Sequence, residues 1–224
     1  MTDFDAFDRI LTARHSCRAF LPDPVAQDVV HDIVTAAQKV PSWCNAQPWH
    51  LTITAGDATE NFRQALYAHA LSTPPQPDIE WPKGYPGVYN ERRRACGFQL
   101  YDAVGIEKGD RPASAKQMME NYHFFGAPHV AIVTSPADLG AYGGVDCGGF
   151  VAAFTLAAQA KGLGSIAQAA IAAHAPMVRD HFDLPADRLV LCAISFGYAD
   201  TTHPANGFRT DRADTTDVID WRTT

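Results

Sequence analysis

PSWCNAQPWH, residues Pro41 to His50, lies between a helical pattern and a strand pattern and sets the reading of everything around it. Two prolines, a serine, an asparagine, a glutamine and two tryptophans share ten positions. A plain connector would be built from Gly, Asp and Lys. Directional amides beside flat apolar rings instead suit contact with a planar, hydrogen-bonding ligand.

Working outward from it, Val30, Ile33, Val34 and Ala37 form the apolar stripe of a preceding helix, predicted to start at Asp23-Pro24 and to be ended by Pro41. Earlier still, Phe4, Phe7 and Leu11 predict a helix over Asp3–Ala13 with Asp3 as its N-cap. On the other side, Trp49, Leu51 and Ile53 alternate with polar neighbours, which predicts a strand over His50–Thr54. Gly56-Asp57 then turns the chain into a helix through Phe62, Leu66 and Ala70. Ser72–Gly87 is too rich in proline to be regular.

Tyr89–Ile106 reads as a helix carrying the run Arg92-Arg93-Arg94, either a solvated face or a ligand clamp. A polar helix containing Met118 and Met119 ends at Gly126 and Pro128, before a short buried strand, Val130–Val133. Asp146–Ala160 is an almost uncharged core helix closed by Lys161-Gly162. GSIAQAAI follows as a strand-like run, then a short helix from Pro176 to Phe182, and Arg188–Tyr198 is the clearest central strand. The pattern is one α+β domain, residues 1–224, with a small sheet sandwiched by helices.

A formal net charge of −7 argues against nucleic acid as a partner. Five scattered cysteines without a C-x-x-C pair fit a reduced compartment. The acidic N-terminus lacks the layout of a signal peptide, and the longest apolar zone, near Gly148–Ala160, is shorter than the roughly 20 residues of a membrane span. The expectation is a cytoplasmic protein without membrane contact.

Arg14, Ser16 and Arg18 are spaced by two, so an extended segment would present all three on one face. Two guanidinium groups flanking a hydroxyl make a receptor for a phosphate monoester, although two solvated arginines after a helix end read equally well. Arg209 and Arg212 form a second basic cluster near the other end, either surface charge or a second half of the same anion site. No Walker loop, HExxH, G-x-S-x-G or dinucleotide-binding glycine pattern is present, and the histidines lack metal-ligand spacing. The residues therefore point to a site for a phosphorylated planar ligand, with neither a metal nor a side-chain nucleophile.

With those residues in view, the chain resembles the nitroreductase family of FMN-dependent oxidoreductases. RHSCRAF is similar to the family's R-x-S-x-R-x-F entry, and PSWCNAQPW to its P-S-x-x-N-x-Q-P-W signature. NYHFFGAPHVAIV, a D-x-G opening a helix, KGLGSIAQAAI and the closing FGYADTTHPANGFRTDRADTTDVIDW follow in the family's order.

The resemblance implies an interlocked homodimer with FMN held at the subunit interface and NADPH or NADH as co-substrate. Arg14, His15, Ser16 and Arg18 would meet the ribityl-phosphate end, and Arg209 and Arg212 would close on the phosphate. Pro41, Ser42, Trp43, Asn45 and Gln47 would reach the flavin, partly across the interface. Gln168, Ala169 and Ala170 would turn their backbone to the ring edge, with Asn121 nearby. Many relatives carry a glutamate-glycine pair at that run, so its hydrogen bonding must differ here. Residues 72–106 would be an insertion covering the flavin site, and 199–224 a C-terminal arm. The activity implied is ping-pong transfer of two electrons from NAD(P)H through flavin N5 to a small aromatic acceptor, a nitroaromatic or quinone. Reductive dehalogenation, flavin fragmentation and non-catalytic flavin binding are the alternatives the same fold allows.

Overall fold

The computed structural model describes residues 2–224. Four strands form one sheet: β1 (His50–Thr54), β2 (His129–Pro136), β3 (Gly164–Gln168) and β4 (Arg188–Gly197), in the order β1-β2-β4-β3 with every neighbouring pair antiparallel. The two long inner strands are the apolar ones, and Val130, Ala131, Ile132, Val133, Ala193, Ile194 and Phe196 are fully buried. β2 runs eight residues, longer than the four predicted, because β4 pairs with it along its whole length across one bulge at Val133/Thr134.

Eight helices surround the sheet: α1 (Asp3–Ala13), α2 (Gln27–Ala37), α3 (Asp57–Ser72), α4 (Val88–Ala103), α5 (Arg111–Met119), α6 (Gly140–Ala160), α7 (Ala169–Ala172) and α8 (Ala175–His181). One face of the sheet is covered by α3, α7 and α8 around Phe62, Leu66, Phe124, Ile171 and Val178. The other is covered by α2 and α6 around Ile33, Ala37, Phe150, Phe154 and Ala158. This is the expected helix–sheet–helix sandwich.

One cap and three boundaries depart from the sequence reading. α1 is capped by Thr2, not Asp3: the Thr2 hydroxyl accepts from the Asp5 amide while the Asp5 carboxylate accepts from the Thr2 amide, a capping box. α2 begins at Gln27, not Asp23, because the Val25 amide donates to buried His129 Nε2 at 2.9 Å and holds the preceding residues extended. It also ends at Ala37, four residues before Pro41. α6 begins at Gly140, so Asp146 lies inside the helix and does not open it. Glycine-rich sequence is helical there because Gly143 lets the helix approach β2: a β-carbon at that position would lie 2.6 Å from Ser135 Oγ.

At 21 residues α6 is also longer than read from sequence. With the turn before it, it is long and apolar enough to cross a membrane by length and composition alone, at a mean hydropathy of 1.2. Its inner side, however, is core: Gly143, Cys147, Phe150, Phe154 and Ala158 pack on the sheet and α2.

Candidate functional site

RHSCRAF leaves α1 at Arg14, whose extended backbone (φ −65°, ψ 129°) turns the chain away from the helix. The segment then runs beside β3 and touches the sheet only through isolated bridges. Ser16 forms a parallel bridge with Ser165, the Cys17 amide donates to the Ser165 carbonyl at 3.1 Å, and Phe20 bridges Ala199. Cys17 faces inward and is fully buried against Gly164, where an added β-carbon would lie 2.9 Å from its sulfur. The alternation thus turns Arg14, Ser16 and Arg18 outward, as their spacing predicted.

What they face is the C-terminal tail. Asn206, 6% exposed, clamps the two segments: its Oδ1 accepts from the Arg18 amide at 2.7 Å, and its Nδ2 donates to the carbonyls of Ala19 (2.9 Å) and Asp200 (2.8 Å). Beyond that clamp the tail returns with Phe208, Arg209 and Arg212. Together the two segments enclose a pocket of about 500 Å³, whose wall also receives Cys96 from α4. The basic clusters from opposite ends of the chain therefore converge.

The pocket is strongly basic. None of Arg14, Arg18, Arg209 and Arg212 has a carboxylate partner among the described residues. Arg209 and Arg212 instead donate to nearby backbone carbonyls, and Arg18 lies 6.0 Å from the Phe208 ring centre. Burial, then the neighbouring charge of Arg212, pulls the Arg14 pKa below its ordinary value; burial does the same to Arg18. Uncompensated like charge in a partly buried cavity is relieved by a bound phosphate.

His15 adds a different kind of contact. Its Nδ1 donates to the Ala13 carbonyl at 3.2 Å, which leaves Nε2 buried with no partner. Burial, followed by the charges of Arg209, Arg14 and Arg18, holds its pKa down against the opposing pull of the Ala13 carbonyl. A neutral imidazole with a bare Nε2 accepts a hydrogen bond, so it could take one from a ligand hydroxyl.

Of the fifteen residues expected from sequence, this pocket brings together six: Arg14, His15, Ser16, Arg18, Arg209 and Arg212. The other nine lie outside it. Asn121 and Gln168 meet each other at the end of β3, where the Gln168 carboxamide is buried and donates to two oxygens of Asn121 while its Oε1 accepts from Ser195 Oγ. Ala169 and Ala170 open α7 immediately after. A residue not singled out by sequence is Ala167. Ser165 turns its carbonyl outward to Cys17, so Ala167, two residues on, presents its own backbone N–H and C=O on the same free edge of β3, and it is exposed.

Pro41, Ser42, Trp43, Asn45 and Gln47 are held elsewhere, against the N-terminal part of α6. The Trp43 amide donates to both carboxylate oxygens of Asp146 at 3.1 Å, and its ring meets Tyr142 edge-on at 4.4 Å. The turn is strained: Cys44, Asn45 and Gln47 all have positive φ (49°, 57° and 48°), and the Ser42 hydroxyl accepts the Gln47 amide at 3.0 Å. Within one chain the amide-rich wall and the arginine pocket do not share a cavity.

Residues 11–198 match the model of the nitroreductase family. The chain belongs to the nitroreductase family. It is 34% identical to nitroreductase NfnB of Mycolicibacterium smegmatis over 209 residues, covering 93% of this chain and 89% of that one. It is 31% identical to a 4-nitrobenzoate reductase of Pseudomonas putida, covering 93% and 92%. The crystal structure of the FMN-dependent NfnB from Mycobacterium smegmatis in complex with NADPH superposes with a TM-score of 0.93 at 32% identity, covering 98% of this chain and all of that one. The nitroreductase match ends at Tyr198, so Arg209 and Arg212 lie beyond it and are joined to the site by Asn206.

Proposed function

We propose that the protein is an FMN-dependent nitroreductase that passes two electrons from NADPH or NADH to a nitroaromatic or quinone. The observation that carries this is the convergence of Arg14, Arg18, Arg209 and Arg212, all without carboxylate partners, on one pocket at the edge of β3. The fit to FMN rests on two features: unneutralised guanidinium groups for a phosphate monoester, and the orphaned Nε2 of His15 for a ribityl hydroxyl. From Ser165 beside the arginines to Gln168 at the end of β3 is about 10 Å at ~3.3 Å per residue, the scale of an extended five-carbon chain with its phosphate. The free backbone of Ala167 and the start of α7 then stand where a ring edge would need hydrogen-bond partners. When bound, FMN supplies two-electron chemistry at its N5 position between nicotinamide and acceptor.

The chain's own groups bind and orient. The arginines fix the phosphate, the edge of β3 fixes the ring, and residues 72–106 cover the site. None of these residues is a proton donor poised at an acceptor, so protons come from water. NAD(P)H and the acceptor occupy the same face in turn, which makes the kinetics ping-pong.

The remaining wall comes from a second copy of the chain. α1 has no buried residue although Phe4, Phe7 and Leu11 line one side of it, and Val218, Ile219 and Trp221 are exposed, Trp221 by 80%. Such apolar surface is buried in a twofold homodimer, where Pro41–Gln47 of one subunit would face the pocket of the other.

An absorption spectrum of the purified protein is the direct test: a flavin spectrum with FMN released on denaturation is expected, and protein that stays colourless with added FMN overturns the reading. Arg18→Ala and Arg212→Ala should each weaken FMN by about 10- to 100-fold, the value of a charge-assisted contact of about 1.5–3 kcal/mol. Parallel double-reciprocal plots with 4-nitrobenzoate as acceptor would check the alternation of substrates.

A further inference from the structure

Asp78 lies in the proline-rich stretch that leads from α3 into α4, yet its side chain is only 11% exposed. Its carboxylate accepts from the guanidinium of Arg179 on α8, itself 19% exposed, and from the Val190 backbone amide of β4 at 2.7 Å. β3 pairs with β4 only from Ala193 to Gly197, and Val190 lies beyond that pairing. Arg179 is held in turn, donating to the Arg188 carbonyl at 3.3 Å. Two positions before Asp78, the Gln76 amide donates to the Ala173 carbonyl at 2.6 Å, just after α7. The root of the stretch is therefore fastened to α7, α8 and β4.

Beyond Asp78 the chain is held much more loosely. Neither α4 nor α5 contains a buried residue. Among the described residues, the hydrogen bonds of residues 79–120 are all to near neighbours in sequence. Even so, α4 reaches the arginine pocket through Cys96 and meets the Pro204–Asn206 turn. The fastening also stands near the end of β3. Val190 is three residues from Ala193, about 10 Å at ~3.3 Å per residue, and Ala193 pairs with Gln168. A segment with so few buried contacts opens locally while the sheet stays closed, so its placement depends on its root.

We propose that Asp78 is a positioning residue for the reaction: by joining the root of residues 79–106 to Arg179 and Val190, it holds α4 over the site where NAD(P)H and the acceptor bind in turn. The proposal rests on the reading of the pocket as an FMN site covered by this segment. Asp78 does not line the pocket, so loss of the fastening acts on the bound substrates and not on FMN retention. Lids and loops set from such remote points commonly govern turnover.

The test compares D78A, D78N and the double variant D78A/R179M, each as FMN-loaded protein. D78A leaves the Arg179 charge without its partner and lowers overall stability, whereas D78A/R179M removes both charges and restores it. Both variants should nonetheless share a rise of about tenfold in KM for 4-nitrobenzoate, with kcat and FMN affinity within about twofold of wild type. Amide hydrogen exchange should be about tenfold faster at Gln76 and across α4, while β2 keeps wild-type protection. D78N, which keeps an acceptor for the Val190 amide, should recover most of both effects. Wild-type KM and wild-type exchange across α4 in D78A/R179M would leave Asp78 a role in stability alone and overturn the proposal. Exchange that rises equally in α4 and β2 would overturn it too. The exchange measurement needs no flavin, so colourless protein overturns the FMN reading while the fastening is still judged by the protection of α4.

Discussion

The carboxamide of Gln168 donates to both the backbone carbonyl of Asn121 (2.9 Å) and its side-chain oxygen (3.2 Å). Because Asn121 offers two acceptors, residue 168 acts there as a donor, which the neutral amide of glutamine supplies at every pH. In Gln168→Glu the new carboxyl can satisfy one oxygen only while protonated. The variant should lose about 1–3 kcal/mol. That loss should grow as pH rises, since the fold then holds the acid's pKa above the ordinary value of about 4.3. Urea unfolding at pH 5 and pH 8 reads both effects.

Asn206 ties the arginine-bearing tail to RHSCRAF without lining the pocket. Asn206→Ala leaves the Arg18 amide without its partner and takes one donor from each of the Ala19 and Asp200 carbonyls, which keep the amides of Asp200 and His203. A loss of about 3 kcal/mol in stability is expected, together with at least about tenfold weaker FMN binding. Denaturant melts and FMN fluorescence titration would measure the two.

Asp146 is the only charged residue of α6, and its carboxylate receives the Trp43 amide. Asp146→Ala releases a turn with three strained residues, worth about 1 kcal/mol, or roughly fivefold in FMN affinity if the turn faces the flavin of a partner subunit. Asp146→Asn keeps an acceptor and should lose less than twofold. Near-ultraviolet circular dichroism of the Trp43–Tyr142 pair reports the local release independently of any cofactor.

His174 is 3% exposed, its Nδ1 lacks a partner, and its ring meets His69 edge-on at 5.1 Å. Burial first, then His69, holds its pKa below the 6.5 of an unfolded histidine. The unfolded chain therefore takes up a proton that the folded chain refuses, and stability falls as pH drops through about 6.5 until the lower folded value is passed. His15 pulls the same way. Melting temperatures from pH 7.5 down to 5 should decline, and less steeply in His174→Leu.

Much of this was legible in the sequence, and the failures have a common cause. α1 and β1 came out with the predicted bounds, since apolar spacing alone decides them. The start of α2 did not, because it depends on a hydrogen bond between Val25 and a histidine 104 positions away. Within the site, the arginines were visible because clustered cations stand out in an acidic chain. Ala167 was invisible: an alanine backbone becomes a binding group only when its strand lies at a sheet edge, and strand order is a property of the whole fold. Asn206 was hidden for the same reason, since its NG dipeptide reads as a turn and gives no hint of the segment it clamps.

The pocket joins residues 14–18 to residues 209–212, and this bears on how the protein matures. Synthesis must reach residue 212 before the second pair of arginines exists, while the sheet that supports the first group is complete at Gly197. On the proposed reading of this pocket, flavin loading waits for residues 209–212, and the incoming phosphate would act as a clasp between two segments far apart in order of synthesis. A nascent chain stalled before Asn206 should carry the sheet and remain colourless.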